Sequence, residues 1–300
     1  GYHSTGRSAA FWDECYGGPG VVPLTLASGS YLREHGFLRE SGALYIGRAQ
    51  DKPEMDDFLR TFEGTGVTIE RLARAGVEAR VPHIRPEWND AVWEPACANI
   101  DVAGLHQHYI KRLNQSGAQL ECRARVVGLE REAGLWRITT QAGDTYRAAH
   151  IVNAAGAWTD ELAQLAGAQP LGIKPLRRTV AQLRVAPEAP ANLPLVIDIK
   201  GGFYFKSDNG RLWLSPHDEI PTVPCDAAPE EIDVALAIDR FQSVTDWRIE
   251  AVERRWAGLR SFSPDRLPVY GPDPEVEGFH WFAGQGGFGI LTPPAAARVG

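Results

Sequence analysis

The stretch HIVNAAGAWTDELAQLAG, residues 150–167, governs the reading of the whole chain. It starts as a short apolar run that ends in Asn153-Ala154-Ala155-Gly156, after which Thr159-Asp160 opens a helix over DELAQLAG. A strand that passes through small residues into a helix lets backbone approach a ligand closely, as in dinucleotide-binding crossovers. The segment therefore predicts an α/β domain with a ligand near this turn.

Upstream, Asp101 can cap a helix from about Val102 to Gln115, with Leu105, Tyr109, Ile110 and Leu113 on one face and Gly117 at its end. Residues 118–149 then read as a three-stranded meander turned at Glu132-Ala133-Gly134 and at Ala142-Gly143-Asp144. Downstream, from Lys174 to about Arg255, the pattern changes to long alternating strands, LRRTVAQLRV, PLVIDIKGGFYFKSD and GRLWLSP, followed by the helical stretch PEEIDVALAIDRFQSV. That is an antiparallel sheet with a helix, hence a second domain of α+β character. The last segment, WAGLRSFSPDRLPVYGPD, the strand GFHWFAG and the loop QGGFGILTPP, returns to glycine and belongs with the first domain.

Three hundred residues accommodate two such domains. A composition of 44% hydrophobic and 23% charged residues supports a sizeable core and excludes a disordered tail or a small disulfide scaffold. The net charge of −7 argues against nucleic acid and against an anionic membrane surface, which leaves small-molecule chemistry. Of the 31 basic residues only Lys52, Lys111, Lys174, Lys200 and Lys206 are lysines, so the cation is nearly always a two-pronged guanidinium suited to carboxylates. Cys15, Cys97, Cys122 and Cys225 form no C-x-x-C pair and read as reduced thiols of a cytoplasmic protein. No run approaches the roughly eighteen apolar residues of a membrane span, and GYHSTGRSAA lacks the regions of a signal peptide. The chain begins without methionine, and Met55 is its only one, so it reads as a piece of a longer open reading frame.

Three segments occur in a telling order: GYHSTGRSAA at 1–10, HIVNAAGAWTDELAQLAG at 150–167, and WAGLRSFSPDRLPVYG with GQGGFGILTPP at 256–294. Together they resemble the FAD-dependent D-amino acid oxidase and dehydrogenase superfamily. The likeness is nearest to its bacterial D-arginine dehydrogenase branch, through Tyr16-Gly17, VNAAGAW, PLGIKPLRR, FYFKSDNG, WAGLRSF and QGGFGI as well. The fold class implied is α/β, a FAD-binding Rossmann-like domain, incomplete, with an antiparallel α+β substrate domain. Residues 1–42, 97–173 and 256–300 fall to the FAD-binding domain, and 43–96 and 174–255 to the substrate-binding domain. The family opens with a strand, a G-x-G-x-x-G turn and a helix, a unit of about 30 residues that would precede GYHSTGRSAA.

The resemblance also implies roles. Ser4, Thr5, Gly6, Arg7, Ser8 and Ala9 would lie along the flavin and pyrophosphate, where bare amides and an arginine suit a diphosphate; for such a turn alone a capped surface loop is the competing reading. Val126 would hold the adenine, and Ala155, Gly156 and Trp158 the phosphates and ribose. Gly258, Gly286, Gly287, Phe288, Gly289 and Ile290 would lie near the flavin ring. Arg178 and Arg260 match two arginines that hold the substrate carboxylate, with Tyr16 and Tyr204 as hydroxyl partners and Gly287 beside them. Arg177, adjacent to Arg178, would point to the opposite face of the strand.

Two positions depart from that branch: Phe11 stands where it has histidine, and about Ala43 where it has an acid for the distal cationic group. If both line the pocket, it is neutral, and a buried guanidinium there lacks a partner, unless Glu40 or Asp198 moves in. His106 and His108 do not share a helix face and make no metal pair, while His217-Asp218-Glu219 reads as a solvated turn. No catalytic base and no metal are assigned. The expected activity is FAD-dependent oxidation of the Cα–N bond of a D-amino acid or related amine, with oxygen, a quinone or another electron acceptor as the second partner. The alternatives are a glycine/sarcosine oxidase-like or 2-hydroxy acid dehydrogenase-like flavoenzyme and, from another class, a non-catalytic remnant or binding module.

Overall fold

The alternating residues of Lys174–Ala186 pair antiparallel along their whole length with Arg248–Phe262, and this long ribbon anchors a nine-stranded sheet. The computed structural model describes residues 1–300. From one edge the sheet runs through Ile220–Pro221, Lys174–Ala186, Arg211–Ser215, Tyr204–Asp208, Leu195–Asp198, Ala43–Arg48, Trp88–Glu94 and Glu70–Ala73, with Arg248–Phe262 on the second strand. Its only parallel pair joins Leu195–Asp198 to Ala43–Arg48. Successive side chains alternate between the two faces. Leu44, Ile46, Val196, Phe205, Leu212 and Leu214 therefore pack on one side with Val234, Ala237 and Phe241 of the helix Glu231–Gln242. Ala43, Tyr45, Leu195 and Tyr204 pack on the other. Each fully buried Leu or Phe of this core contributes about 1.5–3 kcal/mol.

The second face of the sheet meets smaller units. Ile151–Asn153 pairs parallel with Phe279–Ala283, which pairs antiparallel with Val269–Pro272. The strand leads through Ala154–Gly156 into the helix Thr159–Ala166, closed by Gly167 at φ +73°. This is the strand, small-residue turn and helix read from the sequence. The expected helix Val102–Gln115 forms with the Asp101 carboxylate accepting from the Gly104 amide at 2.9 Å. The meander comprises Val126–Glu132, Leu135–Thr140 and Thr145–Ala148. Its first turn places Ala133 and Gly134 at φ +49° and +85°, the mirror-image turn that suits strand twist.

Two expectations are corrected. PLVIDIKGGFYFKSD is not one strand but a hairpin of Leu195–Asp198 and Tyr204–Asp208. Asp198 accepts from the Gly202 amide at 2.9 Å and Gly201 sits at φ +72°, so local side chain-to-backbone bonding turns the chain where alternation alone runs on. The division drawn between residues 255 and 256 falls inside the continuous strand Arg248–Phe262, which keeps Arg260 opposite Leu176 in the large sheet while the next residue, Ser261, bridges to Gly286 of the glycine loop. No helix is long and apolar enough to cross a membrane, and all four cysteines are free thiols.

Candidate active site

A cavity of about 620 Å³ lies where the N-terminal segment, the turn after Asn153, the strand end at Gly258–Ser261 and the loop 285–291 meet the Tyr45–Tyr204 face of the large sheet. Of the residues singled out from the sequence, Ser4, Thr5, Arg7, Ser8, Ala9, Phe11, Tyr16, Ala155, Gly156 and Trp158 line it. So do Arg178, Tyr204, Gly258, Arg260, Gly286, Gly287, Gly289 and Ile290. Four others do not. Gly6 is folded against the backbone of Gly1. Phe288 is buried behind the loop, its ring against those of Tyr16 and Phe262. Val126 packs among Leu129, Trp136 and Phe279 at the meander. Ala43 is fully buried in its strand and contributes nothing to the wall.

Strand register builds the cationic end. Arg178 lies opposite Gly258, so Arg260, two residues on, is its diagonal neighbour on the same face, and Arg177, opposite Leu259, is on the other. Arg177 accordingly bonds Glu230 and Asp233, away from the cavity. Arg178 is 5% exposed; its Nε donates to the Asp218 carbonyl at 2.6 Å and lies 3.8 Å from the Asp218 carboxylate, its Nη2 reaches Glu219 at 3.5 Å, and its buried Nη1 has no partner. Burial, and then the charge of Arg260, lower its pKa to about 10. Arg260 pairs with no carboxylate and lies 5.4 Å from the centre of the Tyr16 ring. Two guanidiniums with unused donors on one wall are a receptor for a carboxylate.

The glycine loop supplies bare backbone. A side chain at Gly287 would collide with the Tyr16 hydroxyl, and one at Gly286, which sits at φ +50°, with the Phe262 ring. Gly258 is held against Arg7. Arg7 itself is engaged: it pairs with Asp226 and donates to the carbonyls of Ala227 (2.8 Å) and Ala257 (3.1 Å). It braces the strand end and does not present a free cation to a diphosphate, as the turn had suggested.

Reading along the sequence missed further lining residues, among them His217, Asp13 and Tyr45. His217, taken as part of a solvated turn, faces the cavity with its ring 5.6 Å from that of Tyr204. Burial, followed by the charges of Arg178 and Arg260, depresses its pKa to about 3. Asp13 and Tyr45 lie at another part of the wall. The Tyr45 hydroxyl reaches both Asp13 oxygens, at 2.7 and 2.9 Å, and the Cys15 amide donates to Oδ1 at 2.9 Å. Behind Asp13 lies Glu94, fully buried, with Oε1 accepting from the Glu14 amide and Oε2 unpartnered by any protein donor. Desolvation raises both carboxyl pKa values, so burial favours the neutral form of each acid. Glu40 lies exposed and Asp198 caps its own hairpin, so neither supplies the acid. The signal that could have found Asp13 was its spacing from Phe11, two residues along the strand Phe11–Trp12 and its extension.

A two-layer scaffold with a parallel strand-to-helix crossover, a glycine loop and an arginine pair on one cavity defines a flavoenzyme-like oxidoreductase class. Residues 1–299 match the family model described as FAD dependent oxidoreductase, and the chain belongs to that family. Relatives include the hydrogen cyanide synthase subunit HcnC of Pseudomonas aeruginosa, 27% identical over 84% of this chain and 66% of that one. Glycine oxidase of the same organism is 27% identical over 74% of this chain and 60% of its own. Among solved structures, glycine oxidase from Geobacillus kaustophilus superimposes with a TM-score of 0.85 at 21% identity, covering 99% of this chain and 83% of that one. The chain thus spans about half to two thirds of the length of the first curated relatives it matches. FAD is the cofactor of the family.

Proposed function

We propose that the protein oxidises the Cα–N bond of a small, neutral amino acid or related amine, a glycine-type substrate or a short D-amino acid, to an imine that water converts to a 2-oxo acid and ammonia. The observation that carries this is the Arg178–Arg260 pair on one face of one cavity: Arg260 pairs with no carboxylate, and Arg178, although it meets Asp218 and Glu219 through Nε and Nη2, keeps its buried Nη1 unpartnered. Arg178 and Arg260 fix the substrate carboxylate, Tyr16 and Tyr204 border it, and the α-hydrogen is thereby aimed across the cavity. Gly156, Gly258, Gly286 and Gly287, which leave backbone uncovered, fit the family's FAD along with Ser4, Thr5, Ser8, Ala9, Ala155, Trp158, Gly289 and Ile290. The chemistry that bound FAD would supply there is that of a two-electron hydride acceptor, reoxidised by oxygen, a quinone or another acceptor.

Small neutral substrates are favoured by Phe11, Leu195 and Ile197 on the wall. Asp13 offers little to a distal cation, since its oxygens already take the Tyr45 hydroxyl and the Cys15 amide and burial favours its neutral form. Ala43, fully buried, adds no wall to the cavity. The four free thiols agree with a reducing, cytoplasmic compartment. Initial rates of the flavin-loaded protein with glycine, sarcosine, D-alanine, D-leucine, D-lysine and 2-hydroxyglutarate test the reading. Turnover is expected with the neutral amines. Preference for D-lysine overturns the pocket argument, preference for 2-hydroxyglutarate the amine chemistry, and a flavin-loaded protein inert to all six favours a binding module.

A further inference from the structure

His217 occupies a backbone conformation it would not choose freely. Its φ of +56° lies in the left-handed region, where a non-glycine residue persists only when its surroundings dictate it. Both neighbours are clamped by arginines. Arg240, from the helix Glu231–Gln242, donates to the carbonyls of Gly202 and, at 2.6 Å, of Pro216. On the other side Arg178 holds the Asp218 carbonyl at 2.6 Å, and the Thr179 amide holds the Asp218 carboxylate at 2.8 Å. The His217 amide is itself tied to Ser215 Oγ at 3.1 Å. These bonds drive the imidazole toward the cavity.

The ring's tautomer follows from its partners. Nδ1 lies 2.9 Å from the Gly201 carbonyl, which can only accept, so Nδ1 carries the hydrogen. Nε2 is then an acceptor, and it makes no bond within the chain. Burial first, and then the charges of Arg178, Arg260 and Arg240, keep the ring neutral. An unprotonated nitrogen beside two carboxylate-binding guanidiniums is the complement of a zwitterion: cations for its carboxylate, a lone pair for its ammonium.

We propose that His217 is a substrate-binding residue whose Nε2 accepts a hydrogen bond from the substrate amino group, held by the clamped left-handed turn between Arg240 and Arg178. The inference rests on the amino acid reading above and deepens it. With both ends of the H–N–Cα–COO unit fixed, rotation about the axis through the carboxylate stops and one face of the α-carbon is presented. The low basicity of the ring means that it holds the amine without removing its proton.

The test compares 2-aminoisobutyrate, which has no α-hydrogen and cannot be oxidised at that carbon, with isobutyrate, which lacks the amine. Binding to the flavin-loaded protein is read from flavin absorbance and thermal shift. His217→Gly suits the left-handed backbone and removes the ring. It is expected to weaken 2-aminoisobutyrate by about 10- to 100-fold while changing isobutyrate by less than about threefold. His217→Asn, also at home in that conformation and too short to reach, should match it, and His217→Gln, with Oε1 near the place of Nε2, should keep most of the preference. An unchanged ratio of the two affinities overturns the proposal. So does equal weakening of both acids, which would mean that His217 acts only by supporting the arginines. If the unsubstituted protein binds neither acid, the carboxylate reading itself has failed and this one falls with it. Arg260→Met weakening isobutyrate while His217→Gly leaves the ratio intact would isolate the failure to His217.

Discussion

Replacing Arg260 by methionine removes a charge from beside Arg178 while keeping a long side chain against Tyr16. Diagonal neighbours on one face of an antiparallel pair lie about 7–8 Å apart, and two unit charges at about 7.5 Å in an effective dielectric of about 20 repel by about 2 kcal/mol, part of which the Asp218 and Glu219 carboxylates beside Arg178 offset. Against this relief stands the contact with the Tyr16 ring at 5.4 Å, of a kind that contributes about 0.5–1 kcal/mol when exposed. The ligand-free variant is therefore expected to be as stable as the parent or about 1 kcal/mol more stable, a rise of roughly 2 °C for a chain of this size. Titration does not disturb the comparison: Arg178, its pKa lowered to about 10, is charged throughout the range below that value, so its burial penalty is constant at neutral pH and is relieved only as pH rises past it. Carboxylate binding should behave oppositely, weakening by about 2–5 kcal/mol because one half of the receptor is gone. Thermal unfolding with and without isobutyrate measures both quantities at once. A variant that is clearly less stable without ligand, yet stabilised by isobutyrate as much as the parent, would refute the claim that this pair is a strained receptor waiting for a carboxylate.

Two further substitutions probe the walls. Gly287→Ala forces a methyl group onto the Tyr16 hydroxyl and should cost about 1–3 kcal/mol of stability and weaken isobutyrate, whereas Gly156→Ala, at φ +59° with open space around it, should lose about 1–2 kcal/mol from conformation alone and leave isobutyrate affinity intact; equal effects on binding would remove Tyr16 from the receptor. Glu94→Gln removes one acid from the buried pair with Asp13. Because burial raises both carboxyls above their unfolded values, the pair's contribution is full below about pH 4 and fades as pH climbs through the folded-state values. The variant should thus gain on the parent by about 1–3 kcal/mol between pH 5 and pH 8 in urea unfolding, and a difference that stays flat with pH would show that burial does not raise these carboxyls.

What the sequence by itself determined is local. Asp101 and Gly117 bracket the helix Val102–Gln115, the Ala133-Gly134 turn divides the meander, and small residues after Asn153 lead into the helix Thr159–Ala166. Each depends on bonds between residues a few positions apart, so the pattern in the chain contains the cause. The glycine loops and the two arginines were legible as well, through their resemblance to a family. Only tertiary structure decided which side chains share the cavity. Arg178 and Arg260 converge because residue 178 pairs with residue 258, and a slip of one would have turned Arg177 inward instead. Ala43 and Tyr45 lie two apart on the same strand face, yet only Tyr45 is long enough to reach the wall. Asp13 and Glu94 meet across 81 residues of chain, and the raised pKa values of both follow from joint burial that neither segment announces. His217 looked like a polar turn because its neighbours are polar. Arginines from the strand Lys174–Ala186 and the helix Glu231–Gln242 hold it inward, and such contacts are set by packing between distant elements, where burial and register outweigh the preferences of any single stretch of sequence.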